Sequence, residues 1–345
     1  MTLRRHSPVA QAAYHDLVSL LLDEEASGIR GAPTPRTIND KPYWYDRYRI
    51  GAEIHEKYLG EETPDLIARL ERFQSLKTER ASRRAERARL TRLLRSERFL
   101  GFDGAAGSLI SALAKAGVFR LSGVLVGTTA FRLYEGELGL RLSLDQTAMT
   151  NDIDIASFEK LTLAIGETVE PPLQDVLKTF DFTPVPSIDK KRIWRWRQSQ
   201  SNTLVEFLTP SFRANEGLRD LPGLGVSAQS LHFLDFLIKD PIEAAAVYRD
   251  GVRVRIPRPE NFAIHKLIVA SRRRNGPGSL KSRKDLLQAE LLIHILSEDR
   301  PTDLNDAYQD AMARGPRWRE YIERSLARTP LSRGCIEASG ANWRG

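Results

Sequence analysis

The sequence predicts an α+β protein in which a mixed β-sheet with flanking helices is followed by a helical C-terminal domain. Between residues 100 and 225, short apolar runs typical of strands alternate with segments of helical period. Within this region the runs KRIWRWRQ and TLVEFLTP are joined by the polar SQSN, which indicates a hairpin. Beyond Pro257 the apolar residues recur at helical spacing, so this part is predicted to be helical.

The chain divides into three predicted domains. Residues 1–99 contain a first helix over about 9–25, a β-hairpin of the runs 43–50 and 53–59, and a long helix over 63–99 that becomes very basic. Residues 100–225 form the central domain. Residues 226–345 form the C-terminal domain, whose last fifteen or so residues are expected to be frayed.

Composition excludes several classes of protein. The 345 residues include one cysteine, Cys335, so a disulfide framework is excluded and a reducing, cytoplasmic location is expected. With six scattered histidines besides, a zinc site is excluded as well. The N-terminal segment lacks the apolar run of a signal peptide or membrane span. The formal net charge of +7 makes a polyanionic partner a candidate.

The segment DIDIA, residues 152–156, places two carboxylates on one face of a predicted strand. Side chains two apart on a strand point the same way, about 6 to 7 Å apart at the backbone. Asp152 and Asp154 therefore share a face, while Ile153 and Ile155 point into a core. Two carboxylates about 4 Å apart repel by on the order of 4 kcal/mol at intermediate dielectric, and a bound Mg²⁺ would reverse that sign. An Asp-x-Asp alone also occurs in solvated edge strands and turns.

Two further features join this pair. Glu206 interrupts the apolar run TLVEFLTP, where a carboxylate is unusual unless it faces the same metal ions. Gly127 ends the apolar strand GVLVG, and Thr128 and Thr129 follow at a helix start whose free N–H groups can bind a phosphate. The three carboxylates can hold two Mg²⁺ ions, one for an attacking hydroxyl and one for a triphosphate and its pyrophosphate leaving group. Mn²⁺ is an alternative ion.

This order of motifs resembles the DNA polymerase β-type nucleotidyltransferase superfamily: an apolar strand ending in Gly-Ser/Thr, then Asp-x-Asp, then an acidic residue on a later strand. More narrowly, LAKAGVFRLSGVLVGTTAFRLYEGELGLRL and TNDIDIA resemble a bacterial family of stand-alone nucleotidyltransferase-like proteins, akin to AbiE-type toxin nucleotidyltransferases. The resemblance covers about residues 40–300. Thr128 stands where the superfamily more often has serine. The long stretch between Gly127 and Asp152 is expected to form a loop over the nucleotide.

The resemblance implies a polymerase β-like fold, with an NTP cleft closed by the C-terminal helical domain. It also implies that Lys266 and the pair Lys284–Asp285 contact the nucleotide or its phosphates. The residues alone leave a second interpretation open, in which Lys266 is a solvated helix residue and Lys284–Asp285 a local surface pair. His265 is expected to be a packed or capping residue.

Two basic elements bear on the acceptor. Aromatic and basic residues crowd the hairpin segment YWYDRYR, residues 43–49, and the helix over 77–98 is strongly basic. Together they can stack bases and neutralise phosphates of a nucleic acid. Alternatively, the hairpin packs its aromatics on the body of the protein and the helix face is solvated. Arg272–Arg274 form a second basic cluster.

The predicted reaction is the transfer of a nucleoside monophosphate from an NTP to an acceptor hydroxyl, with release of pyrophosphate. RNA, including tRNA, is the leading acceptor because of the basic elements. One alternative is nucleotidylation of a protein or small molecule by a toxin-like or resistance-type enzyme, with an antitoxin as a partner. Another is an inactive nucleic-acid-binding regulator. No membrane partner is expected.

Overall fold

The computed structural model describes residues 4–24, 31–50, 53–75, 77–142, 152–159, 168–187, 189, 192–201, 203–273 and 278–341. Within these residues the chain forms twelve α-helices and twelve strands, so the α+β class expected from the sequence is confirmed. None of the described helices is both long enough and apolar enough to cross a membrane.

The N-terminal part builds a small antiparallel sheet between helices. Its elements are α1 (Pro8–Glu24), β1 (Ala32–Ile38), β2 (Lys41–Ile50), β3 (Glu53–Glu61), α2 (Pro64–Ser75) and α3 (Lys77–Ser96). The strands pair in the order β1-β2-β3. Strand β1 was not predicted because Pro33 and Pro35 argue against a strand, but an edge strand tolerates prolines. The single helix expected over 63–99 is wrong, since α2 and α3 are separate helices.

The central sheet carries the predicted carboxylates. It is assembled from α4 (Gly104–Ala116), β4 (Val124–Val126), α5 (Gly127–Glu137), β5 (Ile153–Ala156), α6 (Leu173–Lys178), β6 (Phe182–Pro184), β7 (Arg195–Gln198), β8 (Leu204–Pro210), β9 (Leu218–Leu221) and β10 (Val226–Leu231). The strand order is β4-β5-β8-β10-β9, with β7 also on β8 and β6 on β7. Strand β8 runs parallel to β5 and β10, while the remaining pairs are antiparallel. The expected β7–β8 hairpin is confirmed.

The C-terminal part is mainly helical but begins with strands. Strand β10 belongs to the central sheet, which therefore continues past residue 225, where the sequence placed the start of the helical domain. Then follow α7 (Leu234–Leu237), β11 (Ile242–Ala246), β12 (Val252–Ile256), α8 (Pro259–Arg272), α9 (Ser279–Asp299), α10 (Pro301–Ala313), α11 (Pro316–Leu326) and α12 (Pro330–Ala341). The expected frayed tail is wrong up to residue 341, because α12 packs on α9 and α10.

One hydrophobic core joins the central sheet to the C-terminal helices. It includes Val126, Ile155 and Phe207 of the sheet together with Phe262 of α8 and Leu296 of α9. Helix α8 lies at the centre of the helical part, and twelve of its fourteen residues are buried. The shared core fixes α8 and α9 against the sheet, which determines where their polar side chains can reach.

Candidate active site

The three predicted carboxylates come from two adjacent strands. Strands β5 and β8 pair in parallel with Asp154 directly opposite Glu206, and β4 places Val126 opposite Asp154 on the other side. Asp152 precedes β5 by one residue. The residues flanking Asp154 and Glu206 are buried in the core, as expected for strands whose side chains alternate between faces. The structure thus brings the three residues to one region of one sheet face.

Two of the three carboxylates, Asp154 and Glu206, have raised pKa values. The pKa of Asp154 is raised to about 7, mainly because its carboxyl group is removed from water and also because Glu206 and Asp152 are close. The pKa of Glu206 is raised as well, chiefly by burial, while Arg195 acts in the opposite direction. Burial and mutual repulsion of this kind favour the binding of a cation between the groups.

Each of the outer carboxylates has a protein partner. Glu206 forms an ion pair with Arg195 of β7, with Nε 2.6 Å from Oε1. Asp152 accepts a hydrogen bond from the Leu204 N–H at 3.1 Å through its Oδ1 atom. Among the described residues, no three His, Cys, Asp or Glu side chains stand in the arrangement of a metal site. Because Arg195 contacts Oε1, an ion shared with Asp154 would have to use Oε2 of Glu206 or displace the guanidinium.

Gly127 lies directly beside the Asp154 carboxylate. It begins α5 with a φ of +65°, a left-handed conformation that glycine adopts without strain. A Cβ at this position would lie 2.5 Å from Oδ2 of Asp154. Val126, the residue before α5, has no side chain that can cap the helix, so among the described residues no N-cap hydrogen bond competes with an anion for its first N–H groups. Thr129 donates its hydroxyl to the Asp152 carbonyl oxygen at 2.9 Å, and this bond ties the helix start to β5.

Cations of the C-terminal helices face the same region. Lys284 Nζ donates to the Thr128 hydroxyl at 2.9 Å, so α9 reaches the start of α5. The pKa of Lys284 is lowered, first by burial and then by Lys266 and Lys281, while Asp152 acts in the opposite direction. Lys281 lies close enough to lower the pKa of Glu206 in turn. A group of positive charges therefore stands across from the carboxylates.

Asp285 holds two cations of this region in place, Lys266 and Arg273. It accepts from Lys266 Nζ at 2.6 Å and from Arg273 Nη1 at 2.9 Å through separate oxygens. Both Lys266 and Arg273 lower the pKa of Asp154, so both lie within electrostatic range of it. Lys266 and Asp285 are buried, which disagrees with the interpretation of them as solvated surface residues. His265 is buried too, and burial lowers its pKa to about 3, so it is neutral.

The sequence does not single out Arg195 as a partner of Glu206, and the structure does not describe one of the predicted segments. The alternation WRWR in the sequence predicts that one pair of side chains faces the core and the other the cleft. Trp196 faces the core at 1% exposure, and Arg195 faces Glu206 and lies over the Trp194 ring. Residues 143–151, the last part of the loop expected over the nucleotide, lie outside the described residues.

Substituting Gly127 tests how closely Asp154 must approach the helix start. Gly127→Ala should cost roughly 1 kcal/mol of stability for its positive φ, and its new methyl group must displace the Asp154 carboxylate. Gly225→Ala is a matched control, because its φ is +64° and a Cβ there meets nothing within 4 Å. We expect similar losses of stability by thermal unfolding, but a loss of enzymatic activity only in Gly127→Ala. Equal activity in the two variants would contradict the expected role of Gly127.

The comparisons with known proteins agree with this arrangement. The family model described as Nucleotidyltransferase matches residues 105–313, more than half of the chain. This range includes the central sheet, Gly127, the three carboxylates and helices α8 and α9. A second model, described as Domain of unknown function (DUF6788), matches residues 12–69. No curated protein sequence matches the chain. The chain therefore belongs to the nucleotidyltransferase family, as its motifs predicted, and is a transferase that uses an NTP.

Proposed function

We propose that this protein is a Mg²⁺-dependent enzyme that transfers a nucleoside monophosphate from an NTP to a hydroxyl group of RNA, with tRNA among the candidate acceptors. The observation that carries the proposal is the pairing of Asp154 with Glu206 beside Gly127 and Asp152. Carboxylates face cations of α8 and α9 across this point, and that combination suits a metal-bound triphosphate.

The donor set fits a divalent cation. Asp152, Asp154 and Glu206 supply only carboxylate oxygens, the ligands that Mg²⁺ prefers, and Mn²⁺ accepts the same set. The raised pKa of Asp154 shows that its charge is poorly compensated by protein groups alone. These three residues would hold the metal ions, which would activate the acceptor hydroxyl and neutralise the developing charge on the phosphates.

The other residues bind and orient the nucleotide. We assign the phosphates to the first turn of α5, where the N–H groups of Gly127, Thr128 and Thr129 can donate. Lys284 and Lys266 supply positive charge from the opposite side of the cleft. Asp285 is a positioning residue, because it holds Lys266 and Arg273 in place through its two oxygens.

The positive charge of the protein supports RNA as the acceptor. The formal net charge is +7, and helix α3 alone carries exposed arginines along much of its length. Some of this charge is used internally, since Arg84 and Arg87 both bind Asp250. Arg92 and Arg95 are exposed farther along the helix and can contact phosphates. With its single cysteine, we place the protein in the cytoplasm.

Radiolabelled nucleotides test the proposal directly. The full-length protein is incubated with Mg²⁺ and each NTP in turn, labelled on either the α- or the γ-phosphate, together with total RNA or with cellular protein. We expect RNA to acquire the α-label and not the γ-label, because transfer of the monophosphate releases the other two phosphates as pyrophosphate.

Two variants make this experiment decisive. Asp152→Ala should abolish the label, whereas Asp175→Ala removes an exposed aspartate of α6 and should not change it. Label in protein alone would instead indicate protein nucleotidylation, as in a toxin. RNA binding with no label for any NTP would indicate an inactive regulator, and either result contradicts the proposal.

A further inference from the structure

The small sheet β1–β3 has one face anchored to the protein and one face turned to solvent. On the anchored face, Tyr48 and Ile50 are buried in the main core. Trp44 of the same strand packs with Leu66 and Leu70 of α2. The aromatics of β2 thus divide between the two faces, and the interpretation that all of them pack on the body is wrong. The other face carries what we call the tyrosine–arginine face: Arg36, Tyr43, Tyr45, Arg47, Arg49 and Tyr58.

The three tyrosines form a contiguous aromatic surface. The Tyr58 ring lies 5.5 Å from the Tyr45 ring and 6.2 Å from the Tyr43 ring, measured between centroids. Tyr58 is 52% exposed although it sits in the middle of β3. Aromatic side chains grouped on a solvated sheet face provide stacking platforms for unpaired bases, and such stacking tolerates any base.

Positive charge surrounds these rings. The Arg36 guanidinium lies 5.3 Å from the centre of the Tyr45 ring. Arg36 and Arg47 share one carboxylate, that of Glu56, at 2.6 and 3.9 Å, and the side chains of both arginines are 52% exposed. Arg49 on the same face is exposed as well. The arginines therefore outnumber the acidic group they contact, and the excess charge is complementary to a phosphate backbone.

Helix α4 lies between the small sheet and the central sheet. Its N-terminal end lines a cavity together with Ile153 and Thr203, and Ile153 points to the sheet face opposite the carboxylates. At its C-terminal end, the Ala116 carbonyl accepts from the Glu170 N–H, and the Glu170 carbonyl accepts from the Tyr48 hydroxyl. Thirteen residues of helix separate the two ends by about 20 Å. Helix α4 therefore separates β2 from β5 by about its own length.

We propose that the tyrosine–arginine face binds single-stranded RNA, with bases stacked on the tyrosines and phosphates contacted by the arginines. The choice of RNA rests on the proposed function, in which RNA is the acceptor. The face is distinct from the carboxylate site and lies outside the residues that match the nucleotidyltransferase family. In the proposed reaction it would hold the body of the acceptor whose hydroxyl reacts at the carboxylates.

Binding is measured by fluorescence anisotropy with the full-length protein and a labelled single-stranded RNA of about 16 nucleotides, the upper end of common site sizes. NTP is omitted, so the result does not depend on catalysis. We expect Tyr58→Ala to weaken binding about 10-fold, and Tyr58→Phe to keep it within about 2-fold because the ring is retained. Arg47→Glu should weaken binding about 10-fold and reduce its dependence on salt.

The controls separate this face from a general attraction to charge. Arg319→Glu makes the same charge change at an exposed arginine of α11 and should leave the affinity within about 2-fold of wild type. Unchanged affinity in both Tyr58→Ala and Arg47→Glu would overturn the proposal. So would equally tight binding of duplex RNA, whose bases are not free to stack on the tyrosines. A failure of the proposed function gives a different result. Label found in protein alone, with RNA binding intact, contradicts RNA as the acceptor but not the binding of RNA to this face.

Discussion

Replacing Asp154 by asparagine should abolish nucleotidyl transfer and at the same time make the metal-free protein more stable. Asp154 lies between Val126 and Glu206 in the sheet, beside Gly127. Asparagine keeps the shape of the side chain but loses the charge that would hold a metal ion. Metal-ion catalysis contributes several kcal/mol to such reactions, so we expect the rate to fall by about 1,000-fold or more.

The stability effect has a defined dependence on pH. The pKa of Asp154 is raised from 3.8 to about 7 by burial, Glu206 and Asp152. Between these values the folded protein retains a proton that the unfolded chain has lost. The contribution of Asp154 to the free energy of unfolding therefore falls as the pH rises from about 4 to about 7, and then levels off. Asparagine does not ionise, so the variant should gain on the order of 2 to 4 kcal/mol over wild type above about pH 7.

Thermal unfolding in a chelating buffer, at a series of pH values, measures this difference. Asp220→Asn is the control, because Asp220 lies in the same sheet on β9 but is paired with Arg192 and Ser227. It should show neither the stabilisation nor the loss of transfer. Added Mg²⁺ should stabilise wild type and not Asp154→Asn, since a ligand stabilises only the state that binds it. Equal stability of the two proteins at every pH would contradict the raised pKa of Asp154.

The orientation of the side chains in DIDIA could be predicted, because it depends only on the two-residue period of a β-strand. Alternation along a strand places Asp154 opposite in orientation to Ile153 and Ile155, and both isoleucines are buried. The sequence predicts that Glu206 faces the same ions but not which residue it pairs with, since β5 and β8 are parallel and parallel pairing is set by long-range packing. The ion pair of Arg195 with Glu206 depends instead on the register of the β7–β8 hairpin, where the two residues lie directly opposite each other. The sequence predicts the hairpin, but the alternation WRWR alone does not fix that register.

Short strands account for most of the fold that the sequence did not reveal. Strands β6, β9 and β11 span three to five residues, too few for a periodic pattern to be distinguished from a loop. Strand β10 was missed for another reason: VSAQSL is weakly apolar, yet its pairing with β8 and β9 buries four of its six residues. Tertiary contacts, which a single sequence does not display, decide such segments.

Replacing Asp285 alone should have the largest effect on stability among the residues of this region. Asp285 is 2% exposed and neutralises Lys266, which is itself 8% exposed. Asp285→Asn leaves the buried ammonium group without its counter-charge. Breaking one partner of a buried ion pair costs about 3 to 5 kcal/mol, and we expect a loss in that range by urea unfolding at neutral pH.

A double substitution separates the structural role of the pair from its role in catalysis. Lys266→Met with Asp285→Leu replaces both charges by apolar groups of similar size, which is often neutral for stability. Arg273, the other partner of Asp285, has a side chain that is 46% exposed, so its charge can return to water. We therefore expect the double variant to recover most of the stability lost in Asp285→Asn. Because Lys266 also supplies positive charge near Asp154, NTP affinity and transfer should stay low. Recovery of transfer together with stability would mean that Lys266 and Asp285 act only in folding, and the phosphates would then depend on Lys284 and the start of α5.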